Sequence, residues 1–593
     1  MKGLVTLLRI KLLLIVVLCC LECTVYGSEL RTQVLSPMQR VFYSTPVVEE
    51  NDQKIELWAA RNEDESTQVA LFSEQAITVE KVEATDLLNG ASGKVLAASN
   101  FSYRFPAYVF VEKHTGQTPD SELDGKAPGW FPDPFEEGQR LSFSGTRSLY
   151  GTWYVPPDTP PGNYRGALVI YHSSGRRRLP VLLQVWNFTL PTRPSLYVTN
   201  WLYISAIESN YQVKRGTGEF WRVIEKIAQD MAAHRQSVIY TQLNLIRSTQ
   251  MPDGSYNFDF RDYEHWVNIF LSQGFQAFEG SHLFPGIVDS FNIQRFIGSG
   301  TVEFGETQLA TPEGQQYLIK LLQALHRENQ KLGIQDKYLQ HIRDEAGAKD
   351  IPLYRQIAAI VRTTMPGIPI IDATELPADK RSGMMDIPVT KLGKPLSNPN
   401  EEGMGGADRK WGKWWYTSNN VTGRFLNRFI DYPLVKMRLI PWLSWRTGMS
   451  GYLHYGYNCW DGPEKSPWEH VGRGGNNPPG DPFVVYPPRA NRTGGPVSSL
   501  RWEAFRDGMQ DYEYLNLLER WVKQLPQIKA KGDNALCKGV REQAEKVLQE
   551  IRTVMASPEE YFRDPRAVES LRRRIGEVLD KIASCMGGDM SRP

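Results

Sequence analysis

Cysteine is scarce in this chain of 593 residues: six in all, three of them (Cys19, Cys20, Cys23) within the first 27 positions. The others, Cys459, Cys537 and Cys585, have neither the number of a disulfide framework nor the spacing of a structural metal site. Excess charge is also missing. Sixty-eight Lys and Arg oppose 67 Asp and Glu, a net charge of +1, so there is no basic field to displace counterions from nucleic-acid phosphates. Past residue 27 no apolar run approaches the roughly 20 residues of a membrane-spanning helix. No internal repeat is visible. What remains is a long chain with enough residues for two or three sizeable cores.

Residues 1–27 have the layout of a secretory leader. Lys2, Arg9 and Lys11 form the charged start, Leu12–Leu21 the apolar stretch, and cleavage is expected after Gly27. The mature protein is therefore expected to be exported, to a periplasm or the exterior. A lipid anchor on one of the early cysteines is the less favoured variant, because Glu22 before Cys23 fits such a site badly.

Residues 28–194 alternate in short strands, such as Ile55–Ala60, Gln68–Phe72, Tyr108–Glu112, Gly166–Tyr171 and Pro180–Trp186. Turn formers stand between them, as at Asn89-Gly90 and Pro156–Gly162, which predicts an N-terminal β-sandwich. Trp130–Phe135 reads as a rigid Pro-rich loop, packed on the next domain or reaching its site. From 195 to 505, eight candidate strands alternate with helical stretches: Leu196–Leu202, Ser237–Leu243, Phe275–Leu283, Tyr338–Asp344, Ile368–Ala373, Met385–Thr390, Lys413–Thr417 and Gly451–Tyr457. That pattern predicts a TIM-like (β/α)8 barrel. Residues 506–593 hold three amphipathic stretches, read as a helical extension. Arg501, Arg506, Asp507 and Asp511–Leu515 are expected to anchor it by ion pairs, while Arg572–Arg574 reads as a solvated helix face.

In a parallel barrel, chemistry sits at the C-terminal ends of the strands. The fourth strand runs into two adjacent acids, Asp344 and Glu345, in His341-Ile-Arg-Asp-Glu345. Other strand ends offer Asn200 and Trp201, Glu279 and His282, Asp372 and Glu375, Tyr416, and Tyr455 through Trp460. Flat aromatic faces beside hydrogen-bonding groups suit a sugar ring, and Trp415 and Trp460 are candidates for that face; Trp442 and Trp445 are read as core. Adjacent acids do not straddle a glycosidic bond as a two-carboxylate glycosidase requires. They suit a sugar whose own 2-acetamido oxygen attacks the anomeric carbon, one acid protonating the leaving oxygen and the other orienting the acetamido N–H. Strand alternation places His341, Arg343 and Glu345 on one face and Ile342 and Asp344 on the other. Glu345 is therefore expected to point into the mouth as acid/base, with Asp344 leaving regular strand geometry to orient the acetamido group.

The His341–Glu345 run resembles the His-Ile-x-Asp-Glu motif of glycoside hydrolase family 123. Three further stretches, Arg438–Trp445, Gly451–Trp460 and Ser499–Leu515, are also similar to that family. The resemblance covers nearly the whole mature chain. It implies an exo-acting, retaining, substrate-assisted β-N-acetylgalactosaminidase acting on glycosphingolipid-type glycans with terminal β-linked GalNAc, with no metal or organic cofactor. It places the orienting and acid/base roles on Asp344 and Glu345. Substrate contacts are expected from His282, Asp372, Trp415, Trp460, Tyr416 (to the acetamido oxygen) and Tyr455, which stands where such proteins often have Trp. A β-GlcNAc enzyme, another exo-glycosidase of this architecture and an inactive glycan-binding protein are the alternatives. Oligomeric state is not indicated.

Overall fold

The computed structural model describes residues 30–48, 53–284, 291–295, 301–304, 309–393, 410–472, 477–490, 494–524 and 535–585. The expected leader and its cysteines lie outside these residues.

The N-terminal region is all β, as expected, but its strands are longer and differently connected. Among them are β1 (Arg31–Leu35), β2 (Ile55–Arg61), β3 (Glu63–Ala84), β4 (Pro106–Val111), β5 (Gly129–Phe135), β6 (Leu141–Val155), β7 (Gly162–His172) and β8 (Gly175–Thr189), with three shorter strands at Leu87–Asn89, Val95–Leu96 and Phe101–Arg104. Instead of two separate sheets, one nine-stranded ladder forms, together with the β4–β5 hairpin. The reason is β3, 22 residues long. Its first half lies between β1 and β6; past an irregularity at Ser73–Ile77 its second half lies between β6 and β7. A bulged strand bends and twists, so one strand serves both halves of the sheet. Alternate residues of β8, namely Leu179, Val181, Leu183 and Val185, fill the region's own core. Trp186, Phe188 and Leu190 then join a larger core shared with the rest of the protein. Trp130–Phe135 is not a loop but part of β5, and it does pack on the next region: Pro134 bridges to Ser499.

All eight strands expected after residue 195 form, at three to five residues each: β9 (Tyr197–Asn200), β10 (Val238–Thr241), β11 (Ala277–Gly280), β12 (Tyr338–Gln340), β13 (Ile371–Thr374), β14 (Ile387–Lys391), β15 (Trp414–Tyr416) and β16 (Gly451–His454). Neighbours are parallel throughout, in two arcs: β9-β16-β15-β14-β13 and β10-β11-β12. The arcs do not merge into one closed ladder. One seam carries a single Gln340–Ile370 bridge. At the other, Ser237 N donates to Val198 O at 3.2 Å. Strands this short leave little backbone to pair at the seams. Gly280 is required where β11 meets β12, since a Cβ there would lie 1.8 Å from the Tyr338 hydroxyl.

Helices between the strands follow the apolar periodicity. α1 (Gly218–Ala233) is capped by Thr217, whose side chain accepts from Phe220 N, and α3 (Pro312–Lys331) by Thr311, with Pro312 at its first position. α2 (Arg261–Ser272), α4 (Ile351–Thr364) and α5 (Leu434–Thr447) also stand between strands. α5 ends at Gly448, whose φ of 65° closes the helix. Trp442 on α5 is core, as expected. Two excursions after β10 and β11, including Arg247–Gln250 and Tyr256–Asp259, build a separate small sheet that the sequence pattern does not announce.

Three helices follow: α6 (Leu500–Gln524), α7 (Ala535–Val554) and α8 (Pro565–Cys585). α6 begins before the expected boundary at 506 because Ser499 caps it, its Oγ accepting from Trp502 N at 3.2 Å. The expected ion-pair anchors form. Arg501 pairs with Asp133, Arg506 with Glu503 and Asp507, and Asp511 with Arg438. Arg572 is a correction: it is buried, not solvated, and binds Glu63, Glu65 and Asp511. Among the described residues, no helix is long and apolar enough to cross a membrane.

Candidate active site

The motif strand ends earlier than its sequence suggests. β12 stops at Gln340, so His341–Glu345 is a loop and strand alternation does not orient its acids. Asp372, at the second position of β13, organises this loop. Its carboxylate accepts from Ile342 N at 3.0 Å, Arg343 N at 3.2 Å and the Tyr354 hydroxyl, and lies 2.9 Å from His341 Nδ1. Farther along, Glu345 N donates to Ala373 O at 3.1 Å. Arg343 Nε lies 3.3 Å from Asp350, which also accepts from Gly347 N at 2.8 Å. Held from these sides, Glu345 adopts φ 44°, in the left-handed region. That conformation costs a residue with a Cβ about 1–2 kcal/mol, and strain of this kind clusters at functional sites.

Asp344 and Glu345 are both exposed in the mouth. Although solvent reaches Asp344, protein surrounds it closely. The loss of bulk water raises its carboxyl above the usual range. The neighbouring Glu345 and Asp372 carboxylates add to the rise, while His282 and His341 oppose it. Glu345 Oε1 accepts from the Tyr416 hydroxyl and from Lys391 Nζ, the latter at 3.2 Å. Burial, then the nearby Glu345 carboxylate, raises the Tyr416 phenol far above its ordinary value, so the hydroxyl stays a donor.

Beneath the acids lies an aromatic and charged floor. Trp201 stacks on Tyr240, with ring centroids 4.8 Å apart, and meets His282 and His341 edge-on. His282 Nδ1 is 2.8 Å from the Tyr240 hydroxyl. His341 sits between two carboxylates, Asp372 and Glu279, the second 3.7 Å from Nε2. Burial disfavours its charge, but these two partners outweigh burial and hold its pKa at about 10. Imidazolium is therefore its neutral-pH form. The sign of the pH effect follows: the stabilisation from His341 is full below its unfolded pKa of about 6.5 and fades as pH rises towards 10. Thermal melts of wild type and His341→Gln are expected to differ most near pH 6 and to converge by about pH 10.

His282, His341 and Asp372 place ligand-type atoms within 4.8 Å of one another. They do not suit a metal. The Asp372 oxygens are already taken by two backbone N–H groups, Tyr354 and His341.

The other candidates separate into two groups. Asp344, Glu345, Tyr416, His282 and Asp372 are brought together, with Asp372 acting beneath the loop. Trp415 is 1% exposed, and its Nε1 donates to Ser444 on α5 at 2.9 Å, so it faces the helix layer. Trp460 is 6% exposed and donates to Val485 O at 2.9 Å. Neither offers an open platform. Tyr455 is half-buried, stacks on His454 with centroids 4.9 Å apart, and donates its hydroxyl to Asp481. Lys391, Trp201 and Tyr240 complete the mouth and floor. Trp201 is legible in the sequence as a strand-end residue. Lys391 is not, because the sequence pattern ends the sixth strand one residue early, at Thr390.

Parallel strands that deliver paired carboxylates and hydrogen-bonding aromatics to one mouth define a glycosidase-type α/β enzyme. Residues 201–518, more than half the chain, match the family model for the glycoside hydrolase 123 catalytic domain, and residues 40–172 match the glycoside hydrolase 123 N-terminal domain. The chain belongs to glycoside hydrolase family 123. Among solved structures, it is similar in fold to a family 123 glycoside hydrolase from Clostridium perfringens, studied for glycolipid glycan hydrolysis. Identity is 12%, coverage is 94% of this chain and 99% of that one, and the TM-score is 0.71. β-Glucuronidase 3 of Bacteroides uniformis matches far more loosely (8% identity, 82% of this chain and 51% of that one, TM-score 0.28). So does a β-galactosidase from the psychrophilic Marinomonas ef1 (10%, 55% and 60%, TM-score 0.33). Comparison with curated proteins gives no match.

Proposed function

We propose that this protein is an exo-acting, retaining glycoside hydrolase that removes terminal β-linked N-acetylgalactosamine from glycolipid-type glycans by substrate-assisted catalysis. The observation that carries the reading is the adjacency of Asp344 and Glu345 on one rigid loop. The two acids are sequence neighbours on one loop, an arrangement that suits a shared task on one side of a sugar better than the facing pair of the two-acid schemes. In the proposed reaction, the 2-acetamido oxygen attacks the anomeric carbon. The bond to the leaving oxygen breaks, its electron pair stays on that oxygen, and the proton comes from Glu345. Asp344 accepts from the acetamido N–H and balances the positive charge of the oxazolinium. Water then gives a proton to Glu345 as it attacks the anomeric carbon, and the oxazoline C–O bond opens to restore the acetamide. Two inversions at one carbon give net retention.

The raised Asp344 carboxyl fits the role, since an acid that holds its proton more tightly also accepts the acetamido N–H strongly once ionised. The two arcs of parallel strands are proposed to act as a barrel of the (β/α)8 kind, with substrate entering over their C-terminal ends. Export through the 1–27 leader is part of the same proposal.

The test uses matched aryl β-GalNAc and β-GlcNAc substrates with a thiazoline that mimics the oxazoline. GalNAc cleavage blocked by the thiazoline is the expected result. Preference for GlcNAc keeps the mechanism and overturns the specificity, whereas cleavage of a sugar lacking the acetamido group overturns the mechanism. Tight glycan binding without release of product points to a binding protein.

A further inference from the structure

We propose that Lys391 is a positioning residue that divides the two oxygens of Glu345, leaving Oε2 to carry the proton given to the leaving oxygen, and that Glu375 regulates it by competing for the same cation. The proposal rests on the acid/base role assigned to Glu345 above.

Lys391 ends β14, where Ile387, Val389 and Lys391 form one buried stripe. An amine 5% exposed is stable only when paired. Its partners are Glu345 Oε1 at 3.2 Å and Glu375 Oε1 at 2.8 Å. Tyr416 is its direct neighbour on β15 in the parallel ladder, and the Tyr416 hydroxyl donates to the same Glu345 oxygen. Two donors on adjacent strands thus converge on Oε1. Among the described residues no donor reaches Oε2. A carboxyl proton on Oε1 would face an ammonium and a hydroxyl proton, while on Oε2 it faces the mouth. The acid is therefore loaded on one side, the side open to substrate.

One cation serving two carboxylates also links them, so a change of charge at Lys391 or Glu375 is expected to reach Glu345. Among the described residues, the charged and titratable groups facing Glu345 are Asp344 on its own loop, Lys391 and Tyr416 from the neighbouring strands, and Glu375 after β13. His282, His341 and Asp372 lie below Asp344. Removing the Lys391 cation makes ionisation of the Glu345–Asp344 pair harder. Removing the Glu375 charge makes it easier, both by deleting a carboxylate and by releasing Lys391 to Glu345 alone. The two substitutions therefore act in opposite directions.

The experiment is the pH profile of kcat/KM for an aryl β-GalNAc substrate, whose basic limb reports the acid that must be protonated in free enzyme. Lys391→Met is expected to move that limb up, and Glu375→Gln to move it down, each by about one pH unit. Limbs that stay in place, or that move the same way, overturn the proposal, because a merely structural role lowers rates without opposed shifts. If Lys391→Met does not fold, Glu375→Gln decides alone. The same shifts are read without substrate by following the Glu345 side-chain carboxyl carbon in an NMR titration, assigned with Glu345→Gln. Opposed shifts in that titration together with no hydrolysis of acetamido sugars would sustain this inference and overturn the functional reading; an unmoved titration with intact hydrolysis would do the reverse.

Discussion

Glu345→Gln is expected to lower hydrolysis of glycans with poor leaving groups by about 10²–10⁴-fold, the usual contribution of a positioned general acid. Aryl substrates with good leaving groups should lose much less, since they depart with little protonation. Asp344→Asn is expected to lose about 10²–10³-fold on both substrate types, because its charge is needed where the oxazolinium forms whatever leaves. The geometry makes the contrast informative. Gln at 345 has the length and shape to retain the contacts of Oε1 with Tyr416 and Lys391, so the substitution removes the proton more than the position. Steady-state rates on a matched pair of substrates decide the matter. If both variants lose equally on both, Glu345 is not the proton donor.

The second large effect is on stability. Asp133 lies fully buried on the β4–β5 hairpin, at the contact between the N-terminal strands and the catalytic region. It accepts from Arg501 Nε at 2.9 Å, Arg501 Nη2 at 3.0 Å and the Tyr486 hydroxyl at 2.7 Å, with Arg40 Nη1 at 3.7 Å. Arg501 in turn donates to the carbonyls of Arg428, Gly480 and Phe483. Asp133→Ala leaves two guanidinium groups buried without their shared carboxylate, which is expected to destabilise the fold by about 3–5 kcal/mol. The exposed pair Arg31–Glu74 provides the control: Glu74→Ala should change stability by less than about 1 kcal/mol. Denaturant unfolding of both variants beside wild type checks the difference. Equal, small losses would mean that Arg501 is held by its carbonyl contacts alone.

What the sequence reveals and what it hides divide along sequence distance. Local signals carry far. Period-two and helical patterning locates all eight parallel strands and the helices α1, α3 and α4, and the Asp344-Glu345 pair lies in the loop that follows one of those strands, which ends at Gln340, four residues earlier than the pattern suggests. The same local rules fail where a residue's partner is remote. Alternation does not extend to Glu345, because β12 ends at Gln340, where Asp372, from another strand, captures the next backbone N–H groups. Trp415 and Trp460 resemble sugar platforms until Ser444 and Val485 are seen to take their indole N–H groups. Three consecutive arginines at 572–574 have the look of a solvated face. Arg573 and Arg574 do form surface pairs with Glu577 and Glu550, whereas Arg572 turns inward. Lys391 escapes notice because a lysine at the end of an apolar strand gives no sign of the two carboxylates that will meet it.

Arg572 has one more consequence, in time rather than space. Glu63 and Glu65 lie close together on β3, and burial raises the carboxyl of each, Glu65 to about 8, against the pull of Arg572. The arginine that neutralises them stands 509 residues after Glu63. While the chain is being made, β3 can pair with β6 and β7 long before α8 exists, yet its two acids have no cation from α8 to meet. Until α8 packs against β3, these carboxyls are expected to stay hydrated or protonated. A helix encoded far downstream thus brings the charge that two buried acids of an early strand pair with.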